Sequence, residues 1–220
     1  MDTQGSLDTE ERLAALITSE FEALADRLAA APSSAWDEAS LCEGWRTREV
    51  VAHLTMAARY SPDRFMEQLR EFGFDFTVLS NKIAERDGQL PAATLLDNLR
   101  SPTLHAWRPP GGGTPGALSH VVIHAIDITA ASDAASTVAP VAATIVLDGL
   151  VDGGHAHFGI ETTGRRLEAE DLDWTWGAGQ PLRGLAADLI AALSGRTLPS
   201  GCLAGSPLAR SGSPTPEDSE

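Results

Sequence analysis

The sequence predicts a mainly α fold, a bundle of about four long helices followed by a small mixed α/β segment. Three observations carry this. Over residues 8–31, Leu13, Leu16, Ile17, Phe21, Leu24 and Leu28 recur at helical spacing. Residues 117–131 are apolar nearly all round a helix, the mark of a buried one. Past Gly153 the period changes to two, in residues 166–170 and again in 172–176, which reads as a short hairpin with Leu172, Trp174 and Trp176 on one face.

The elements follow in order. Asp8 or Thr9 can cap the first helix, Glu10 and Glu11 suit its dipole, and Pro32 ends it. A loop over residues 36–46 carries Cys42 and Gly44 and leads to a helix capped by Thr47, whose core face is Val50, Val51, Leu54, Ala57 and Ala58, with His53 at its margin. Pro62 opens a third helix reaching about residue 72, and further helical stretches are expected over 77–86 and 91–99. The run Pro109-Pro-Gly-Gly-Gly-Thr-Pro115 is a break. Helices then follow from Pro115 and over about 140–152, Gly177-Ala-Gly179 turns the chain, and residues 185–193 make an amphipathic last helix. This organisation gives a helical bundle over residues 1–153, a hairpin-plus-helix segment over 154–210, and a Ser/Pro/acid-rich disordered tail over 211–220.

Composition narrows the function. The 220 residues carry a net charge of −15, with 31 acidic against 16 basic side chains, and no basic cluster. Phosphate binding needs a basic footprint, so nucleic acid is not an expected partner, nor is an anionic membrane. The N-terminus shows no secretory signal, and the apolar run over 138–151 is short and broken by Asp148. Cys42 and Cys202 are isolated and form no C-x-x-C pair. A cytoplasmic protein with free thiols, monomeric or homodimeric, is the expectation.

The chemistry-bearing pattern is His120-Val-Val-Ile-His124, with Asp127 one turn further on. In a helix the three fall on one stripe, with ~5–6 Å between neighbouring Cβ atoms. Polar groups on a buried stripe need partners. One reading makes His53, His120 and His124 three ligands to a divalent metal presented by two helices, leaving a coordination position open, with Asp127 orienting an imidazole. The other makes them hydrogen-bonded core histidines, and spacing alone does not separate the two. Position 121 is Val, so this is no H-E-x-x-H metalloprotease helix. No Gly-x-Ser-x-Gly elbow supports serine hydrolysis. His155 and His157 read as exposed loop residues, His105 has no partner pattern, the glycine run 111–113 reads as a connection, and Cys42 reads as a small buried hydrophobe lying near the site.

The stretch Leu41-Cys-Glu-Gly-Trp-Arg-Thr-Arg-Glu-Val-Val-Ala-His-Leu54 resembles a signature of the mycothiol-dependent maleylpyruvate isomerase family, in the wider DinB-like group of metal-binding four-helix bundles. That signature usually reads Cys-Pro-Gly-Trp before Val-Val-Ala-His-Leu, its His being a metal ligand. His120-Val-Val-Ile-His-Ala-Ile-Asp127 resembles the second signature, and Leu172-Asp-Trp-Thr-Trp-Gly-Ala-Gly with Arg183-Gly resembles, more loosely, a C-terminal portion. The resemblance implies a DinB-like up-and-down bundle with His53, His120 and His124 as ligands to zinc or a similar divalent ion. It also implies mycothiol as thiol cofactor and isomerisation or S-transfer on a small electrophilic substrate. Arg183 is a candidate for meeting an anionic part of thiol or substrate. Two departures stand out: Glu43 replaces the usual proline, and His120 stands where the isomerase has Glu. The second leaves a bound cation one negative charge less shielded and weakens the specific expectation of maleylpyruvate isomerisation. A non-catalytic metal-binding stress or regulatory bundle is the alternative.

Overall fold

The computed structural model describes residues 3–130 and 135–211, so most of the tail expected over 211–220 lies outside the described residues. The chain divides into two compact units, Met1–Ala139 and Pro140–Glu220. The boundary read from the sequence lay one helix later, at 153/154. The helix in question, α9 (Pro140–Gly149), buries Ala142, Ala143, Val146 and Leu147 and packs against α11 (Ala186–Leu193), within the second unit.

In the first unit, α1 (Thr3–Ala30) starts earlier than the sequence signals suggest, so Asp8 and Thr9 lie inside the helix rather than at its cap. A 3-10 turn and the loop to Arg46 lead into α2 (Thr47–Leu54). Thr47 is its first helical residue rather than its cap: its N–H is held by the Glu38 carbonyl, while Arg46 N–H donates to Glu49 Oε2 at 2.9 Å. Then come α3 (Met56–Arg59), α4 (Pro62–Glu71), α5 (Phe76–Asp87), α6 (Ala92–Leu99), α7 (Pro102–Ala106) and α8 (Gly113–Thr129). α8 packs on α1 and α2, α2 on α5 and α6, and α6 back on α1. Ile17, Leu24, Val50, Val51, Leu54, Leu79, Ile83, Leu95, Leu99, Leu118 and Ile126 fill the space between them. The expected mainly helical bundle is therefore present, with α8 buried as its sequence requires.

The second unit continues from α9 through a π-helical segment, Leu150–Gly154, broken by Asp152 and by Gly153 at φ +103°, into α10 (His155–His157). Strands β1 (Ile160–Glu161) and β6 (Ala209–Arg210) pair antiparallel. A second sheet has the order β3-β2-β4-β5, from β2 (Arg165–Ala169), β3 (Thr175–Gly177), β4 (Gln180–Gly184) and β5 (Leu203–Gly205). The expected hairpin is β2–β3, with Leu167 opposite Trp176. Leu172 and Trp174 sit in its connection, where the inward alternation persists and Trp174 Nε1 donates to Asp148 Oδ1 on α9. The parallel pairing of β2 with β4 requires the turn at Gly179. Its φ is +122°, and a Cβ there would lie 2.1 Å from the Gly164 carbonyl oxygen.

α5 clamps the end of α2. Arg59 donates to the carbonyls of Ala52 and Thr55, to the Thr55 hydroxyl, and to Asp87 on α5 at 3.0 Å. Asp87 also accepts from Tyr60 and Arg86. Burial pushes the Asp87 carboxyl up, but the bonds from Arg86, Tyr60 and Arg59 outweigh burial and hold it below the usual carboxylate range. A depressed folded-state value contributes stability that is complete above the unfolded value near ~3.9 and is lost as pH falls through the folded one. Asp87→Asn should therefore cost about 3 kcal/mol at pH 7 and flatten the loss of stability below about pH 4. Urea denaturation from pH 7 down to pH 2.5 measures both, and an unchanged pH profile would remove Asp87 from this role.

Candidate metal centre

The loop before α2 docks onto α8 through its backbone, the Leu41 N–H donating to the Asp127 carbonyl at 2.9 Å. Gly44, at φ +77°, is the third residue of a tight turn closed by Trp45 N–H to the Cys42 carbonyl at 3.0 Å. A turn with positive φ at that position takes glycine and tolerates most residues before it, which accounts for Glu43. α2 then rises from this anchored loop and carries His53 towards the polar stripe of α8.

His53, His120 and His124 converge. Ring centroids are 5.3 Å apart for His53–His120, 4.8 Å for His53–His124 and 4.9 Å for His120–His124. The Nε2 atoms of His53 and His120 are 3.2 Å apart, and one ring nitrogen from each of the three lies within 4.8 Å of the others. His53 is 7% exposed, His124 9%, and His120 is half-buried. Each of two imidazoles is held from behind. His53 Nδ1 meets the Ser80 hydroxyl of α5 at 2.8 Å, and His124 Nδ1 meets Asp127 Oδ2 at 2.8 Å, with Asp127 fully buried.

An ionised carboxylate only accepts hydrogen bonds, so the proton of His124 is assigned to Nδ1, leaving a lone pair on Nε2. The same Oδ2 accepts the Cys42 thiol at 3.1 Å. The expectation that Cys42 is a small buried hydrophobe is thus corrected. Docking of Leu41 on Asp127 brings its thiol to the carboxylate that orients His124.

The donor set fits a divalent cation. Two nitrogens ~2.0–2.1 Å from one ion in tetrahedral geometry are ~3.4 Å apart. The His53–His120 pair already has that spacing, and the third nitrogen lies within 4.8 Å. A neutral imidazole whose Nδ1–H is held by an acceptor, as His124 is by Asp127, offers Nε2 to a metal.

Residues 17–108 match the family model described as the mycothiol maleylpyruvate isomerase N-terminal domain. The fold agrees over a longer span. A crystal structure of a point mutant of the mycothiol-dependent maleylpyruvate isomerase superimposes with a TM-score of 0.60 at 16% identity, covering 90% of this chain and 92% of that one. A second crystal structure of the mycothiol-dependent maleylpyruvate isomerase gives a TM-score of 0.50 at the same identity and coverage. No curated protein matches the chain by sequence. His53 lies within the matched residues, whereas His120, His124 and Asp127 come from α8, beyond them.

Of the residues singled out from sequence, the structure brings His53, His120, His124 and Asp127 together. Arg183 lies on β4 of the second unit, where its guanidinium donates to Glu168. His155 is half-buried, its Nδ1 at 2.8 Å from the Ile160 carbonyl, so it is no exposed loop residue, while His157 is exposed. His105 stacks on Phe21 and donates Nε2–H to the Leu99 carbonyl at 2.8 Å. Sequence reasoning missed Ser80, which lies 27 residues from its partner in an ordinary helical pattern, and the aromatic side chains Trp45, Phe76 and Trp107 that touch the imidazoles. Trp45, next to Gly44 in the motif, carried the one available signal. In Asp127→Ala the proton on His124 loses its acceptor. Nitrogen-15 correlation spectra of the imidazoles should show the Nδ1–H tautomer of His124 in the wild type and a mixture in the variant. An unchanged tautomer would mean that the carboxylate does not set it.

Proposed function

We propose that the chain is a metal-dependent enzyme using a thiol cofactor, mycothiol by its family, to isomerise or S-conjugate a small electrophilic substrate. One observation carries this reading: three imidazoles from two helices present ring nitrogens to a common point inside the bundle, two of them held from behind by Ser80 and Asp127. His53, His120 and His124 would hold the ion, zinc or a similar divalent metal, and a fourth position would remain for an exogenous sulfur. A divalent ion bound there supplies a lowered thiol pKa, and so thiolate at neutral pH.

The chain's own residues do the rest. Asp127 keeps His124 in the Nδ1–H tautomer and fixes its ring plane; the Ser80 hydroxyl, which can donate or accept, holds the ring of His53 in place. His53, His124, Ser80 and Asp127 are buried, which strengthens the electrostatic interactions among them. With an activated alkene as substrate, sulfur–carbon bond formation moves the π electron pair to the neighbouring carbon. Rotation and expulsion of the thiolate return the isomer with the thiol regenerated. With a leaving group in place of the alkene, the sulfur–carbon bond forms, the leaving group departs with its electron pair, and the thiol proton passes to solvent. His120 in place of an acidic ligand makes a bound cation more electrophilic, which favours the thiolate.

Elemental analysis of purified protein should give near-stoichiometric divalent metal, and His124→Ala should lose it together with at least 100-fold of the rate of mycothiol consumption. Ser80→Ala should keep the fold and weaken metal affinity by about 10- to 100-fold, read by competition with a chromogenic chelator. Equal rates in wild type and His124→Ala, both of mycothiol consumption with a leaving-group electrophile and of mycothiol-dependent cis–trans isomerisation of an activated alkene, would refute the proposal.

A further inference from the structure

The imidazole cluster is walled by aromatic rings. Trp45 lies 5.2 Å from His53, Phe76 6.4 Å from His53 in an edge-on arrangement, and Trp107 5.5 Å from His120. Phe65 of α4 extends the wall, its ring 6.3 Å from Phe76. The wall is not closed core: Trp45, Trp107 and Phe65 are half-buried and Phe76 is 50% exposed. α4 itself buries no residue. Uncovered aromatic surface therefore begins at the imidazoles and runs outward along Phe76 and Phe65.

Apart from the metal ion itself, a small dicarboxylate would need further cations where these rings stand. The two arginines that follow the tryptophans in the chain are already engaged. Arg46 donates from Nε and Nη2 to Glu49 and from Nη1 to Asp37. Arg108 donates to the Thr114 hydroxyl and to the carbonyls of His105 and Trp107. Asp127 adds a buried acidic group beside His124. Aromatic faces carry negative quadrupole charge, which favours apolar or aromatic groups over carboxylates.

We propose that the electrophile taken by this site is uncharged and apolar, with a ring or hydrocarbon portion seated on Trp45, Phe76 and Trp107, and that these three side chains determine specificity. The inference rests on the thiol-transfer reading of the same imidazole cluster. In one turnover with such a substrate, 1-chloro-2,4-dinitrobenzene, the sulfur–carbon bond forms, chloride leaves with its electron pair, and the thiol proton goes to solvent.

The test uses the zinc-loaded full chain, the uncharged fluorescent probe N-phenyl-1-naphthylamine and the dianion maleate. The wild type should bind the probe, and an equal concentration of maleate should not displace it. Phe76→Ser should weaken probe binding about tenfold with zinc content unchanged, Phe76→Leu should recover most of the loss, and Phe74→Ser, on the exposed loop beyond the wall, should leave binding as it was. Displacement by maleate, or equal probe affinity in wild type and Phe76→Ser, overturns the specificity proposal. Thiol consumption separates the two readings. Probe binding that responds to Phe76 without consumption of mycothiol in the presence of 1-chloro-2,4-dinitrobenzene supports the apolar wall and removes the thiol-transfer reading. Consumption that is as fast with maleate, and indifferent to Phe76, does the reverse.

Discussion

Three imidazoles pressed together inside a protein set a constraint that the surrounding structure must satisfy. The Nε2 atoms of His53 and His120 lie 3.2 Å apart, and His124 stands within ring contact of both. Two ring nitrogens are tied on the far side, to Ser80 and to Asp127. Lone pairs that converge in a low-dielectric interior repel unless a proton or a cation lies between them, and a buried polar atom left without a partner costs ~1–3 kcal/mol. A single proton can bridge one pair. A cation satisfies all three at once, and Ser80 and Asp127 hold two of the imidazoles in place for it.

That support comes from three directions. The loop ahead of α2 is fastened to α8 by Leu41 on the Asp127 backbone and by Cys42 on the Asp127 side chain, so one residue anchors the loop and orients His124. α5 supplies Ser80 against His53 and, two turns on, Asp87, whose ion pair with Arg59 fixes the carbonyl of Ala52, the neighbour of His53. α8 brings two of the three imidazoles on one face because its other faces, Val121, Val122, Ala125 and Ile126, are wholly buried. The position of the centre is thus set by the same apolar burial that forms the bundle.

Much of this was legible in the sequence, because it is local. The helices of the first unit follow from periodicity, the β2–β3 hairpin from alternation over 166–176, and the one-turn spacing of His120 and His124 from helical geometry. What was not legible depends on contacts between distant segments. Ser80 looks like any other serine in an amphipathic helix until α5 packs on α2. Cys42 reads as a hydrophobe in the sequence because the carboxylate that accepts its thiol's hydrogen bond, Asp127, is 85 residues away. The placing of α9 with α11 likewise rests on side-chain packing and not on any break in the sequence. The early start of α1 shows a helix running past good capping residues where nothing forces it to stop.

The most direct measurement is X-ray absorption at the zinc edge of the zinc-loaded protein, before and after addition of mycothiol. The account predicts three nitrogen scatterers at ~2.0–2.1 Å and one light atom in the thiol-free sample, with a sulfur at ~2.3 Å appearing when thiol is added. Sulfur already in the first sample, which would put Cys42 on the metal, or failure of the protein to retain zinc at all, would contradict it.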